Sequence, residues 1–322
     1  MFILGNGLAW LGRHATLLMA AGVLLGLAAP PLAEMAQPLL VPALVIPLAL
    51  ALVRLDWGAA SAWRARPALL AQLVVWLLVA SPLAVAALVA VLRAVGLPSP
   101  LGDALILMAA ASPIVSSVAI ALFVGLDASL AVVAVLLATA LVPITLPPLA
   151  ALLAGVAIEM GMPDFVLRLL GLVGSAFAAA WLVRRFVPAA TLAARREHID
   201  GLAVVNLVVF AVAIMDGVTA FALQSPAYVA TALAAAFVFN LLLQAAGYLA
   251  FRRLGRREAL TVALLSGNCN MGLVLVALQG RASFEVTVFF ALAQIPMYTL
   301  PALLAPGYRR LLAGAPGDAG KS

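Results

Sequence analysis

The sequence predicts an all-α membrane protein of ten transmembrane helices. They form two inverted five-helix repeats, with helices 4 and 9 discontinuous and crossed. Three observations carry this. The 322 residues are 66% hydrophobic and 9% charged, a balance foreign to a water-soluble domain of this length. Ten apolar segments approach the ~20 residues that a bilayer requires. Two of them are interrupted by polar, helix-breaking residues about half the chain apart. Paired interruptions of this kind point to a transporter's binding site.

The segments run over 14–31, 37–53, 68–92, 101–124, 128–154, 163–186, 201–222, 227–251, 258–279 and 284–306. The stretch from His14 to Ala29 has the basic start and apolar run of a signal peptide. That reading leaves nine spans and breaks the symmetry, so the stretch is taken as span 1. The connections are short, the longest being the Arg-rich stretch Val187 to Asp200. The chain 1–322 is therefore expected to be one transmembrane unit without an extramembrane domain.

Charge fixes the expected orientation. With the first end inside, the cytoplasmic side receives Arg13, Arg54, Arg64, Arg66, Arg184, Arg185, Arg195, Arg196, Arg252, Arg253, Arg256, Arg257, Arg309, Arg310 and Lys321. Of the 18 basic residues only Arg93, Arg168 and Arg281 fall outside. This is a positive-inside distribution. It places both termini in the cytoplasm of a multi-pass protein, with a bacterial inner membrane as the expected setting. An even span count follows, since one span more or fewer would scramble the alternation.

Ten spans divide into five plus five, roughly 14–154 and 163–306. Five is odd, so a repeated unit inserts in opposite orientations. In span 9 the break is Ser266-Gly267-Asn268-Cys269-Asn270-Met271-Gly272, and in span 4 it is Ser112-Pro113-Ile114-Val115-Ser116-Ser117. Lipid tolerates such backbone only where it is buried in protein or lines a watery path. Asn268 and Asn270 each offer an acceptor and an NH2 donor. Helix ends at Gly267 add dipoles suited to a carboxylate, a cation or both. Pro113 frees a carbonyl and kinks span 4. Ser112, Ser116 and Ser117 either meet substrate or bond back to their own helix. These seven residues form the expected substrate site. The alternative is that they only satisfy backbone freed where two helices cross.

Asp216 is the one carboxylate placed in the interior of a span rather than at its edge. It either carries a coupling proton, or reaches interfacial water or caps a distorted turn. Asn240 fits an interhelical hydrogen bond, Thr139 a hydroxyl bonded to its own helix, and Cys269 a small filler at a tight crossing. Gly22 and Gly26 fit helix packing within the monomer. The single cysteine excludes an internal disulfide. His14 and His198 lack metal-ligand spacing, and no nucleophilic triad or phosphate-binding Gly-rich loop with lysine is present. The expectation is a carrier rather than an enzyme, without cofactor or metal. Its partners are a small solute and the bilayer, with no nucleic acid and no protein partner implied. The alternatives are a proton-coupled or uncoupled carrier or exporter, and a non-transporting membrane scaffold or sensor.

Three stretches together resemble the bile acid:sodium symporter family. Phe239-Asn240-Leu241-Leu242 with Gly247-Tyr248 resembles its span 8. Cys269-Asn270-Met271-Gly272-Leu273 resembles the Gln-Asn-Ser-Gly-Leu of its span 9. Ser112-Pro113 through Asp127 to Leu130, then Pro143 and Pro147, resembles its broken span 4, turn and span 5. The resemblance implies ten spans in a core and a panel domain, crossed breaks, and symport of organic anions with sodium. It also implies where sodium is held, and there the chain reads Ser117, Val118, Ala131, Val135, Leu265, Cys269 and Leu77. Val, Ala and Leu supply none of the side-chain oxygens a hard cation prefers. The ion-coupling candidates are therefore Asp216, Asn270, Cys269 and Thr139, and the ion is sodium or a proton.

Overall fold

The computed structural model describes residues 7–8, 10–12, 14–55, 58, 63, 65–154, 161–278 and 280–313. Arg13, Arg64 and Lys321 lie outside them. Among the described residues the structure is helical, with one isolated β-bridge and no strand. The helices are α1 (Ala15–Ala28), α2 (Pro30–Arg54), α3 (Pro67–Ala94), α4 (Ser99–Ala110), α5 (Ser116–Val124), α6 (Ala128–Leu153), α7 (Met162–Phe186), α8 (Ala189–Ala194), α9 (Arg196–Gln224), α10 (Pro226–Phe251), α11 (Arg256–Gly267), α12 (Met271–Leu278) and α13 (Phe284–Ala313).

Seven of these, α2, α3, α6, α7, α9, α10 and α13, are long and apolar enough to cross a membrane. The chain is a multi-pass membrane protein. The apolar segments expected at 101–124 and 258–279 are each two short helices, α4 with α5 and α11 with α12. Local chemistry marks the joints. Ser112-Pro113 ends α4, because proline disfavours the α conformation in the residue before it and lacks a donor. Gly267 and Asn268, poor helix formers, end α11.

Several boundaries differ from the sequence reading. Helix α2 begins at Pro30, since a proline in the first turn loses no hydrogen bond there. Helix α6 runs through Pro143, Pro147 and Pro148, which neighbours in a membrane protein permit. The Arg-rich connection is itself largely helical, forming α8 and the start of α9. Two further irregularities escaped the sequence, a π-helical turn at Trp76–Ala80 in α3 and a turn at Ala293 in α13, while the turn 214–217 in α9 falls where a distorted turn was weighed for Asp216.

The helices pack in two groups, joined where α7 meets α6. Helices α1, α2, α7 and α9 pack on one another, with α9 against both α1 and α2 and α7 against α2. Helix α10 packs on α11, α3 on α4, and α4 on α6 and α13. Gly22 and Gly26 do pack within the monomer: a Cβ on Gly26 would stand 2.8 Å from Met215 Cβ, and one on Gly22 3.2 Å from Ala211 Cβ.

Arginines gather helix ends at one pole. Arg54 of α2 pairs with Asp200 of α9. Arg184 of α7 donates to Val53 O at 2.7 Å and Leu55 O at 3.2 Å, closing the last turn of α2. Arg256 donates to Leu311 O at 2.8 Å, and Arg309 stacks 4.9 Å over Phe123. At the opposite pole Arg93 pairs with Asp103 across the α3–α4 hairpin.

Candidate functional site

The two breaks meet. Pro113 and Cys269 face each other in an antiparallel bridge. Ile114 N–H donates to Asn268 O at 2.8 Å, and Asn270 N–H donates to Ser112 O at 2.7 Å. Each break thus satisfies backbone groups that the other's helix end leaves open, which apolar surroundings require. Four helix ends converge there: the C-termini of α4 and α11 and the N-termini of α5 and α12. Their partial charges place positive and negative potential side by side.

Of the expected site residues, Ser112, Pro113, Ser117, Gly267, Asn268 and Asn270 are buried at this crossing, whereas Ser116 is exposed. Asn270 Oδ1 accepts from Leu273 N–H at 3.2 Å, capping α12. Asn268 Nδ2 donates to Leu264 O at 2.8 Å. Among the described residues its Oδ1 is buried without a hydrogen-bond partner, and so is Ser117 Oγ. An orphaned buried acceptor costs about 1–3 kcal/mol, a cost that a bound donor or cation would remove. Cys269 Sγ donates to Ser266 O at 3.4 Å. Thr139 does not bond its own helix; its hydroxyl lies 3.5 Å from Ser112 Oγ, to which it donates.

A buried polar chain supports the crossing from behind. Asn240 Nδ2 donates to Gly267 O at 2.7 Å, Gln244 Nε2 to Asn240 Oδ1 at 2.6 Å, and Tyr308 OH to Gln244 Oε1. It links the end of α11 through α10 to α13. The expected interhelical role of Asn240 is met. Gln244, one turn beyond Asn240 on the same face, was legible as a partner. Tyr308 was not, because only packing brings α13 to it. Trp76 is a further participant that pattern alone missed. Its indole N–H donates to Ser266 Oγ at 2.9 Å, from a π-helical turn of the kind that often marks functional positions.

Asp216 has a different setting. It is half-buried in the turn 214–217, beside Gly217, whose φ is +72° and whose nearest neighbour is Phe284. From α9 it is Phe210 that reaches the crossing, against Gly272.

An all-helical multi-pass body, with two interrupted helices hydrogen-bonded at their breaks, has the architecture of a solute transporter. The family model of the Sodium Bile acid symporter family matches residues 41–225, more than half of the 322-residue chain. The chain belongs to that family. The matched stretch includes the Ser112–Ser117 break and ends before Gly267. No curated protein matches the chain.

The family's name raises sodium. At the positions that the resemblance pairs with sodium ligands, Leu77, Ala131, Val135 and Leu265 are buried in one apolar cluster, with Val118 packed against it. Their side chains do not fit a hard cation. Ser117 is the one side-chain oxygen among those positions.

Proposed function

We propose that this protein is a secondary transporter that moves a small organic anion by alternating access, one helix group rocking against the other. The observation that carries the proposal is the crossing itself. Substrate would sit among Ser112, Pro113, Ser116, Ser117, Gly267, Asn268 and Asn270, with its carboxylate toward the N-termini of α5 and α12. Residues 1–322 then act as a single transport unit in which ten spans form inverted repeats near 14–154 and 163–306. The packing pattern supports this. Exchanging the first five spans for the second five turns the α2–α7 pairing into α9–α1, α3–α4 into α10–α11, and α4–α13 into α11–α6, each of which packs. The arginine pole faces the cytoplasm of a bacterial inner membrane under the positive-inside rule.

Sodium coupling has the family's support, and the apolar cluster speaks against the family's sites for it. A proton is the second candidate, with Asp216, Asn270, Cys269 and Thr139 as the groups to examine. Solute counterflow in proteoliposomes tests the central reading. A carrier exchanges labelled organic acid against unlabelled, whereas a scaffold or sensor shows no exchange.

A further inference from the structure

The buried apolar residues form two clusters, one on each side of the crossing. The cluster at the opposite pole joins both helix groups. It takes Met19 and Val23 from α1, Leu44 from α2 and Phe210 to Met215 from α9, together with the buried faces of α4, α12 and α13. The cluster at the arginine pole draws on α2 and α7 but on no residue of α1 or α9. Helices α1 and α9 are therefore sealed against the crossing helices on one side only.

Two aromatic contacts form part of that seal, one buried at the crossing and one at its exposed rim. Gly272, two residues past Asn270, lies under Phe210; a Cβ there would stand 2.8 Å from Phe210 Cζ and 3.3 Å from Leu44 Cδ1. Nearer the surface, a Cβ on Gly217 would stand 2.7 Å from Phe284 Cζ. Phe284 also packs edge-on to Phe221 with ring centroids 5.7 Å apart, and Phe221 packs likewise on Tyr228. Tyr228 OH donates to Glu285 O at 3.1 Å, tying α10 to the start of α13. In both contacts an aromatic ring lies on bare glycine backbone belonging to the other helix group. Neither contact needs a hydrogen bond, so both can part without leaving polar groups unpaired. The positive φ of Gly217 and the turn 214–217 interrupt α9 between them and give a place for it to bend.

We infer that Phe210 and Phe284 are the two gating side chains that close the route from the opposite pole to the crossing, with Gly272 and Gly217 as their seats. The gate rests on the transporter reading above, in which this pole is external. In this structure it is shut.

Cys269, the single cysteine, is buried in the crossing and serves as the reporter. The full-length chain in oriented proteoliposomes is treated with a membrane-impermeant maleimide from each side. Phe210→Ala and Phe284→Ala together should raise labelling from the opposite pole by roughly tenfold and leave labelling from the arginine pole unchanged. Gly217→Ala keeps both rings but forces Phe284 from its seat, so it should act in the same direction. Unchanged labelling from the opposite pole overturns the gate, as does an equal rise from both sides, which reports general loosening. The readout needs no substrate. Labelling that shifts as expected in a protein without counterflow would retire the transporter reading and leave the gate standing.

Discussion

Ile114, between α4 and α5, and Asn268, between α11 and α12, more than 150 residues apart in sequence, are joined by a backbone hydrogen bond of 2.8 Å. With its reciprocal partner, Asn270 to Ser112, it turns two locally unfavourable breaks into one shared element. Each break is costly alone in an apolar medium, and together they satisfy one another. The chemistry left over, a buried amide oxygen, a buried hydroxyl and four helix ends, is what a solute can use.

Asn270 combines a structural and a recognition role, and substitutions can part them. Asn270→Leu removes the α12 cap, worth about 1 kcal/mol, and should abolish transport while membrane insertion continues. Asn270→Ser keeps a capping oxygen without the amide. It should recover most of the thermal stability and little of the transport. Full activity in Asn270→Leu would remove this residue from the site.

Asn268 should show the opposite balance. Asn268→Ala deletes the orphaned Oδ1 and the bond to Leu264, so ligand-free stability should change by less than about 1 kcal/mol. The stabilisation conferred by organic acids in a thermal-shift screen should disappear. A variant stabilised by ligand as strongly as the native chain would show that Oδ1 meets no substrate.

Asn240 and Gly267 test the polar chain behind the crossing. Asn240→Leu strands Gly267 O and Gln244 Nε2, at about 1–3 kcal/mol for each group. Gly267→Ala would place its Cβ 2.5 Å from Gln244 Cγ and 2.8 Å from Asn240 O, an overpacking of about 1–3 kcal/mol. Both should lower the melting temperature in detergent. An unchanged melting temperature in Asn240→Leu would mean that this chain contributes nothing to the native state.

Uptake into proteoliposomes should persist when potassium replaces sodium and should fall when the proton gradient is collapsed. The reason is the apolar cluster of Leu77, Ala131, Val135 and Leu265, which offers a cation no side-chain oxygen. A strict sodium requirement would reverse this and direct attention to backbone carbonyls at the α4 and α11 ends.

Asp216→Asn should lower uptake driven by a proton gradient while sparing solute counterflow. Gradient-driven uptake that is unchanged would assign Asp216 to the turn 214–217 and to the hinge beside Gly217.

Hydropathy, proline and glycine act locally, so the sequence by itself determined the all-helical membrane class, the two breaks and the segregation of arginine. Asn240 and the stretches 112–117 and 266–272 were legible because polar residues stand out against an apolar background. Tertiary structure alone decided that the breaks touch, which atoms of Asn268 and Ser117 remain unpaired, that Thr139 turns to Ser112, and that Tyr308 completes a chain from Gln244. It also decided that Phe210 packs against Gly272 at the crossing. In an apolar chain every helix face carries nearly the same signal. Rotation about each helix axis is therefore set by how distant surfaces fit, glycine against ring and amide against carbonyl, and that fit is not written in any one segment.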